Sequence, residues 1–300
     1  MTDYDNKYNE LLFEALFSGH LRETRSGLVR SLFGYQMRLD LKDGFPLLTT
    51  KKMFYRGVIE ELLWFISGST NIKPLLEKGV HIWDDDAYRY YRTQGGGFDC
   101  GKENFLKNVL AGEKIGSYTF GDMGEIYGKN WRCYGEKGVD QLANVVDLLK
   151  NNPHSRRIVL DAYNPQTCND AALPPCHMFY QFYVNDAGGE KTLSCQFYCR
   201  STDIFLGLPF NIASAAALVH MLCEVCGMTP GELIYIGGDV HLYDCHVDAA
   251  RTQSKRVGKG KLPKLRFKRK VDDISDFKYE DFEIIGYESD DKIYAPLSVG

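Results

Sequence analysis

Cys176 is the residue of this chain best placed to act as a nucleophile. It follows Leu173-Pro-Pro175 and precedes His177. Two prolines stiffen the approach and disfavour helix, so the thiol is presented at the mouth of a strand by a rigid segment. The chemistry open to it is covalent addition by a thiolate, which nearby cations would favour. The competing reading is an inert strand-edge thiol, because Cys-His neighbours are common. Arginines could provide the cations. Arg156-Arg157 begins one β-rich run and Arg200-Ser201 closes another. Such arginines often face solvent. They can also hold a phosphate, since the planar guanidinium makes bidentate contacts and a serine hydroxyl adds a hydrogen bond.

Two further groups could handle protons and polar ligand atoms. Asp239, His241 and Tyr243 alternate with Val240 and Leu242, so a strand would place the three polar side chains on one face. That face is either a solvated surface or a polar pocket wall. Glu61 lies in Phe54–Ser67, where Val58, Ile59, Leu62, Leu63 and Ile66 have helical spacing, with Trp64 and Phe65 beside it on the wheel. A carboxylate held against aromatics favours its protonated form and can act as acid or base near neutral pH. The wheel does not separate Glu61 from Glu60, and a plain boundary glutamate fits the same pattern.

The elements that must position these groups follow from periodicity. Tyr4–Phe17 reads as an amphipathic helix, and Leu28–Leu41 as a strand ending at the turn-forming Asp43-Gly44. Gly138–Asn151 reads as a helix and Arg157–Tyr163 as a strand. His177–Val184 and Thr192–Cys199 form a hairpin across Asn185-Asp-Ala-Gly-Gly189. Pro209 opens a helix that Gly227 closes, and Ile212–Val225 is apolar almost all round, so that helix is central and buried. Leu233–Tyr243 is a strand, with shorter ones at Leu265–Lys268 and Phe282–Ile285. Residues 84–121, with the tract Gln94-Gly-Gly-Gly-Phe98, suggest an inserted loop or small subdomain. The expected fold class is α+β, a single domain over residues 1–300 with a mainly antiparallel or mixed sheet packed with helices.

Composition narrows the partners. A net charge of −4 provides no basic field for nucleic acid or an anionic membrane, so an anionic ligand must meet a local arginine cluster. The longest nearly apolar stretch, Ile212–Cys226, is interrupted by His220 and Glu224 and is too short to span a bilayer. Nine cysteines at irregular spacing, behind a polar start with no signal-peptide pattern, point to free thiols and a cytoplasmic location. The Cys223/Cys226 pair sits in an apolar helical run, where thiols pack as small hydrophobes. No two ligand pairs have metal spacing, and no metal is expected.

Several long motifs resemble the thymidylate synthase family. They are Arg200-Ser-Thr-Asp-Ile-Phe-Leu-Gly-Leu-Pro-Phe-Asn-Ile-Ala-Ser214, Leu173-Pro-Pro-Cys-His177, Tyr127-Gly-Lys-Asn-Trp-Arg132, Ser155-Arg-Arg157, Gly238-Asp-Val-His-Leu-Tyr243, Glu60-Glu-Leu-Leu-Trp-Phe65 and Ile82-Trp-Asp84. They occur in the family's order over most of the chain, from about Tyr35 to Ile285. The resemblance implies that Cys176 adds to C6 of a pyrimidine deoxynucleotide, making C5 a carbon nucleophile. It implies that Asn211 pairs with the ring and selects uracil, and that His241 and Tyr243 bind the deoxyribose hydroxyl. Arg25, Arg200 and Ser201 would hold the 5′-phosphate, with Arg156 and Arg157 reaching across from a second subunit. Glu61, His177 and Tyr127 would serve proton transfers. Ile82, Trp83, Asp203, Leu206, Gly207 and Phe210 would line the site for 5,10-methylenetetrahydrofolate. Because each site borrows arginines, a homodimer meeting through a sheet face is implied.

The departures bear on the reaction. Cys199 stands where the family usually has glutamine, Tyr163 replaces a tryptophan, and Ala215 replaces a tyrosine. Arg25-Ser-Gly27 shortens the family's phosphate loop. The segment Tyr287–Gly300 lacks the usual Pro-His-Pro, and in the family this tail closes over the folate. The resemblance therefore implies reductive methylation of dUMP to dTMP. The alternative is a hydroxymethylase, acting on dUMP or, less in keeping with Asn211, on dCMP, in which water replaces hydride. A third class, a silent binding protein of the same fold, is disfavoured by Cys176, Asn211 and the arginine set.

Overall fold

The computed structural model describes residues 1–94 and 99–297. Helix α1 (Asp3–Ser18) begins with a capping box. The Thr2 hydroxyl accepts the Asp5 amide at 3.0 Å, and the Asp5 carboxylate accepts the Thr2 amide at 3.3 Å. The short strand β1 (His20–Thr24), which the periodicity does not predict, turns back onto β2 (Gly27–Asp40). Helices α2 (Tyr55–Ile66) and α3 (Lys73–Glu77) follow.

Residues 84–121, expected as an inserted loop or small subdomain, hold α4 (Asp84–Gln94), α5 (Lys102–Ala111), and the ribbon β3 (Lys114–Ile115) and β4 (Tyr118–Thr119). The glycine tract 95–98 lies outside the described residues. Tyr91 contacts Phe105, Tyr118 and Phe120 at ring centroid distances of 5.2, 5.9 and 5.0 Å, and these rings join the main core. Helix α4 buries Asp84, Ala87 and Tyr91 at helical spacing, but two of these three are an aspartate and an alanine, so the stripe does not stand out as an apolar period.

Helix α6 (Tyr127–Arg132) is too short to declare itself in the sequence, and α7 (Gln141–Asn151) matches its prediction closely. Strands β5 (Val159–Asp161), β6 (His177–Asn185) and β7 (Thr192–Asp203) lead into α8 (Gly207–Cys226), then β8 (Thr229–Tyr243) and α9 (Val247–Ser254). A two-stranded ribbon of β9 (Lys264–Phe267) and β10 (Phe282–Ile285) completes the set.

The main sheet has the order β1-β2-β8-β7-β6-β5 and is antiparallel except for the parallel pair β7–β8. A parallel neighbour needs a crossover of a dozen residues or more, and α8 is that crossover. The chain is thus α+β with a mixed sheet. Helix α8 runs 20 residues and would reach across a membrane by length and composition, although its apolar core Ile212–Val219 is enclosed by the rest of the chain. One sheet face is buried through Tyr180, Phe182, Phe197 and Tyr235, while Phe179, Tyr183 and Tyr198 stand outward on the other.

Close approach of α6 to α2 brings Tyr127 into place. A Cβ at Gly128 would lie 2.5 Å from the Phe65 carbonyl oxygen and 2.9 Å from its Cα. Only glycine fits there without moving backbone. Gly128→Ala is expected to cost about 1–3 kcal/mol by overpacking, read as a lower urea midpoint; an unchanged midpoint would contradict this packing.

Candidate active site

A cleft of about 790 Å³ opens where β7, β8, the first turn of α8 and the C-terminal segment meet, and Cys176 lines it. The thiol is held by backbone on both sides. Its own amide donates to the Tyr127 hydroxyl at 2.7 Å, and its carbonyl accepts the Arg200 amide at 2.9 Å. The two prolines do more than stiffen the approach. The Pro175 carbonyl accepts Arg200 Nε at 2.9 Å and the Pro174 carbonyl accepts an Arg200 terminal nitrogen at 2.6 Å. That same nitrogen lies 3.8 Å from Cys176 Sγ. Burial pushes the Cys176 thiol up, and the Arg200 guanidinium opposes it.

Glu61 and Glu60 are separated by the fold. Glu60 is buried on the far side of α2, with its carboxylate 2.6 Å from Lys78 Nζ. Glu61 faces the cleft and accepts a hydrogen bond from Trp83 Nε1 at 2.7 Å. Burial raises its carboxyl from the ordinary 4.5 to about 7, although the Trp83 bond pulls the other way. Behind it, Trp83 packs on Trp64 and Tyr127 with centroids 5.9 and 6.2 Å apart, a wall that keeps this end apolar.

His177 lies beneath Tyr127, the rings stacked with centroids 4.2 Å apart, and its Nδ1 is 2.8 Å from the Tyr180 hydroxyl. Burial lowers its pKa to about 3, so it stays neutral and can assist proton movement only through hydrogen bonds. Tyr127 is likewise buried, and burial holds its hydroxyl protonated well beyond the neutral range.

The period-two reading of Asp239, His241 and Tyr243 as a pocket wall is realised: all three line the cleft. Asp239 accepts from Ser31 Oγ and from Arg22, each at 2.6 Å. His241 Nδ1 lies 3.4 Å from an Asp239 oxygen, and its ring meets Tyr243 edge-on at 5.0 Å. Arg25, in the turn between β1 and β2, and Ser201 on β7 reach the same cleft. Asp203 accepts the amides of Phe205 at 2.9 Å and Leu206 at 3.2 Å, which ties the start of α8 to the cleft floor. Leu206, Gly207, Phe210 and Asn211 follow on that first turn, facing Ile82 and Trp83.

Arg156 and Arg157 are the exception. Both are exposed and neither lines this cleft; Arg156 borders a depression on the outward sheet face beside Gln181, Tyr183 and Gln196. Among the altered positions, Cys199 and Ala215 are buried, and burial raises the Cys199 thiol. Sequence reasoning missed Asp86, a cleft carboxylate raised by burial and paired with Arg89 at 2.6 Å. The i,i+3 acid–base spacing was the available signal. Among the described residues no group of three metal-ligating side chains occurs.

A half-buried thiol beside an arginine, a carboxylic acid tuned near neutrality and a polar wall together make the cleft of a thiol-nucleophile enzyme. A family model for thymidylate synthase matches residues 6–299, and the chain belongs to that family. A bifunctional dihydrofolate reductase-thymidylate synthase from Zea mays is 43% identical over 305 residues, covering 98% of this chain and 54% of that protein. The chain therefore spans about half the length of this curated relative.

Two measurements check the electrostatics. Replacing Arg200→Met is expected to slow alkylation of Cys176 by iodoacetamide at pH 8, because the charge that opposes the rise of the thiol is lost; an unchanged rate would remove Arg200 as the opposing charge. Because the Glu61 carboxyl is raised, its contribution to stability is intact below 4.5 and lost as pH rises through about 7. Glu61→Gln, which cannot ionise, should gain stability relative to the parent between pH 5 and pH 8 in urea titrations. A constant difference would refute the shift.

Proposed function

We propose that this chain is a thymidylate synthase, converting dUMP to dTMP with 5,10-methylenetetrahydrofolate. The observation carrying this reading is Cys176 Sγ held 3.8 Å from an Arg200 nitrogen that two proline carbonyls immobilise. Cys176 gives up its proton and bonds to C6 of the uracil, and C5 becomes the nucleophilic carbon. Arg25, Arg200 and Ser201 hold the phosphate, and His241 with Tyr243 receives the sugar hydroxyl. Asn211 presents a donor and an acceptor to the uracil edge. Glu61 carries protons at a pKa suited to neutral pH, with Tyr127 and neutral His177 as hydrogen-bonding partners.

The remaining space fits a flat reduced pterin. Ile82, Trp83, Leu206 and Phe210 supply apolar surface, Gly207 allows close approach, and Asp203 supplies an acceptor for ring N–H groups. Bound there, the folate supplies the one-carbon unit and the hydride. The Trp83 ring, fixed by its bond to Glu61 and packed on Trp64, favours a dry route to the methyl product over capture by water.

A homodimer is part of the proposal. Tyr183 on the outward sheet face is 67% exposed, and Phe179 and Tyr198 flank it, an apolar surface suited to a second copy. Arg156 and Arg157 then reach the partner's phosphate site rather than their own.

Incubating the protein with dUMP and methylenetetrahydrofolate should yield dTMP and dihydrofolate, followed in the near-ultraviolet. Nucleotide product formed without dihydrofolate would overturn methylation in favour of hydroxymethylation. Cys176→Ser should abolish turnover while retaining dUMP binding, and Asn211→Asp should relax the preference for uracil over cytosine. Mixing inactive Cys176→Ser with inactive Arg156→Ala should restore turnover, since one site of the mixed dimer has both groups. Failure to complement in a confirmed mixed dimer would reject the shared site.

A further inference from the structure

The C-terminal segment reaches the cleft in two differently fastened parts. Residues 287–291 are tied to the body by several bonds. The Tyr287 hydroxyl donates to the Leu48 carbonyl and accepts the Met53 amide, both at 2.9 Å, and the Asp290 amide donates to the Thr49 carbonyl at 2.8 Å. Residues 292–297 then overhang the cleft, where Lys292, Ile293, Tyr294, Ala295 and Leu297 line it. Among the described residues, one hydrogen bond joins this overhang to the body: His246 Nε2 to the Pro296 carbonyl, 2.7 Å.

His246 is fully buried between Phe205 and Tyr243, whose ring centroids lie 5.5 and 5.6 Å away. To reach a carbonyl, Nε2 must carry the proton. Its other nitrogen, Nδ1, lies 3.5 Å from Asp203 Oδ1 and has no well-formed partner of its own. One imidazole therefore stands between the overhang and the carboxylate that accepts the Phe205 and Leu206 amides just before α8 and lines the cleft floor. Burial opposes charge on this ring, but Asp203 and the Pro296 carbonyl outweigh it and raise its pKa.

We propose that His246 is a positioning residue that pins the 292–297 segment over the cleft and couples it to Asp203. It touches no reacting atom. Its effect is to favour the closed arrangement before the second ligand arrives, so less ordering remains to be done on binding. The part concerning folate affinity rests on the function proposed above; the pinning itself does not.

Tyr294 is 80% exposed and offers a chymotrypsin cleavage point within the pinned segment. The test compares the full-length parent with His246→Gln, whose amide nitrogen can take the place of Nε2, and with His246→Asn, which is too short. Loss of a hydrogen bond of this kind should speed cleavage after Tyr294 about tenfold in the Asn variant and leave the Gln variant near the parent. The same order is expected in KM for methylenetetrahydrofolate, with the dUMP dissociation constant unchanged. Thermal melting confirms that each variant is folded. Equal cleavage in parent and Asn variant, or equal acceleration in both variants, would overturn the pin. A chain without turnover whose cleavage still follows the Gln-against-Asn order would refute the proposed reaction and leave the pin standing.

Discussion

The attachment of Arg200 to the two proline carbonyls is the constraint on which the site depends. A guanidinium near a half-buried thiol would normally swing towards solvent, because its charge gains by hydration. Here two of its nitrogens, Nε and one terminal nitrogen, are already committed to Pro175 and Pro174, at 2.9 and 2.6 Å. Proline has no amide hydrogen to offer elsewhere, and its fixed φ limits the freedom of the segment that carries the two carbonyls. The Cys176 backbone is clamped in turn between the Arg200 amide and the Tyr127 hydroxyl. Adjacent strands β6 and β7 thus deliver nucleophile and cation as one unit.

Around that unit the chain sets two different environments. The end near Trp83, Trp64 and Tyr127 is aromatic, and there burial lifts the Glu61 carboxyl to about 7 while holding His177 neutral. The opposite wall, with Asp239, His241 and Tyr243, is polar and linked to Arg22 and Ser31 of the neighbouring strands. One end is therefore aromatic and carries a carboxyl raised by burial, and the other is polar and charged. The overhanging segment joins them through Asp203, which serves the helix start and faces His246 at once.

Much of this was legible in the residues. Period two placed Asp239, His241 and Tyr243 on one face, and the prolines before Cys176 marked a rigid presentation. The long helices and strands followed their apolar spacing, and the apolar run of α8 read as central. Of the short elements, β9 and β10 were legible from their apolar residues, whereas β1, α3, α6 and α9 were not, holding too few turns or apolar pairs for a period to emerge. Residues 84–121 hid their helices because the inward face of α4 is built from Asp84, Ala87 and Tyr91 rather than from aliphatics, and Asp86 went unnoticed with them.

The sequence by itself determined the chemical types available and the faces on which they could lie, because side-chain identity and backbone period are local properties. Tertiary structure alone decided which of Glu60 and Glu61 faces the cleft, since Lys78 claims one and Trp83 the other across spans no local period reports. It alone placed Arg200 beside Cys176, 24 residues apart in the chain, and left Arg156 on a separate face. Proximity and burial belong to the folded whole, and they set the charge states on which the proposed chemistry depends.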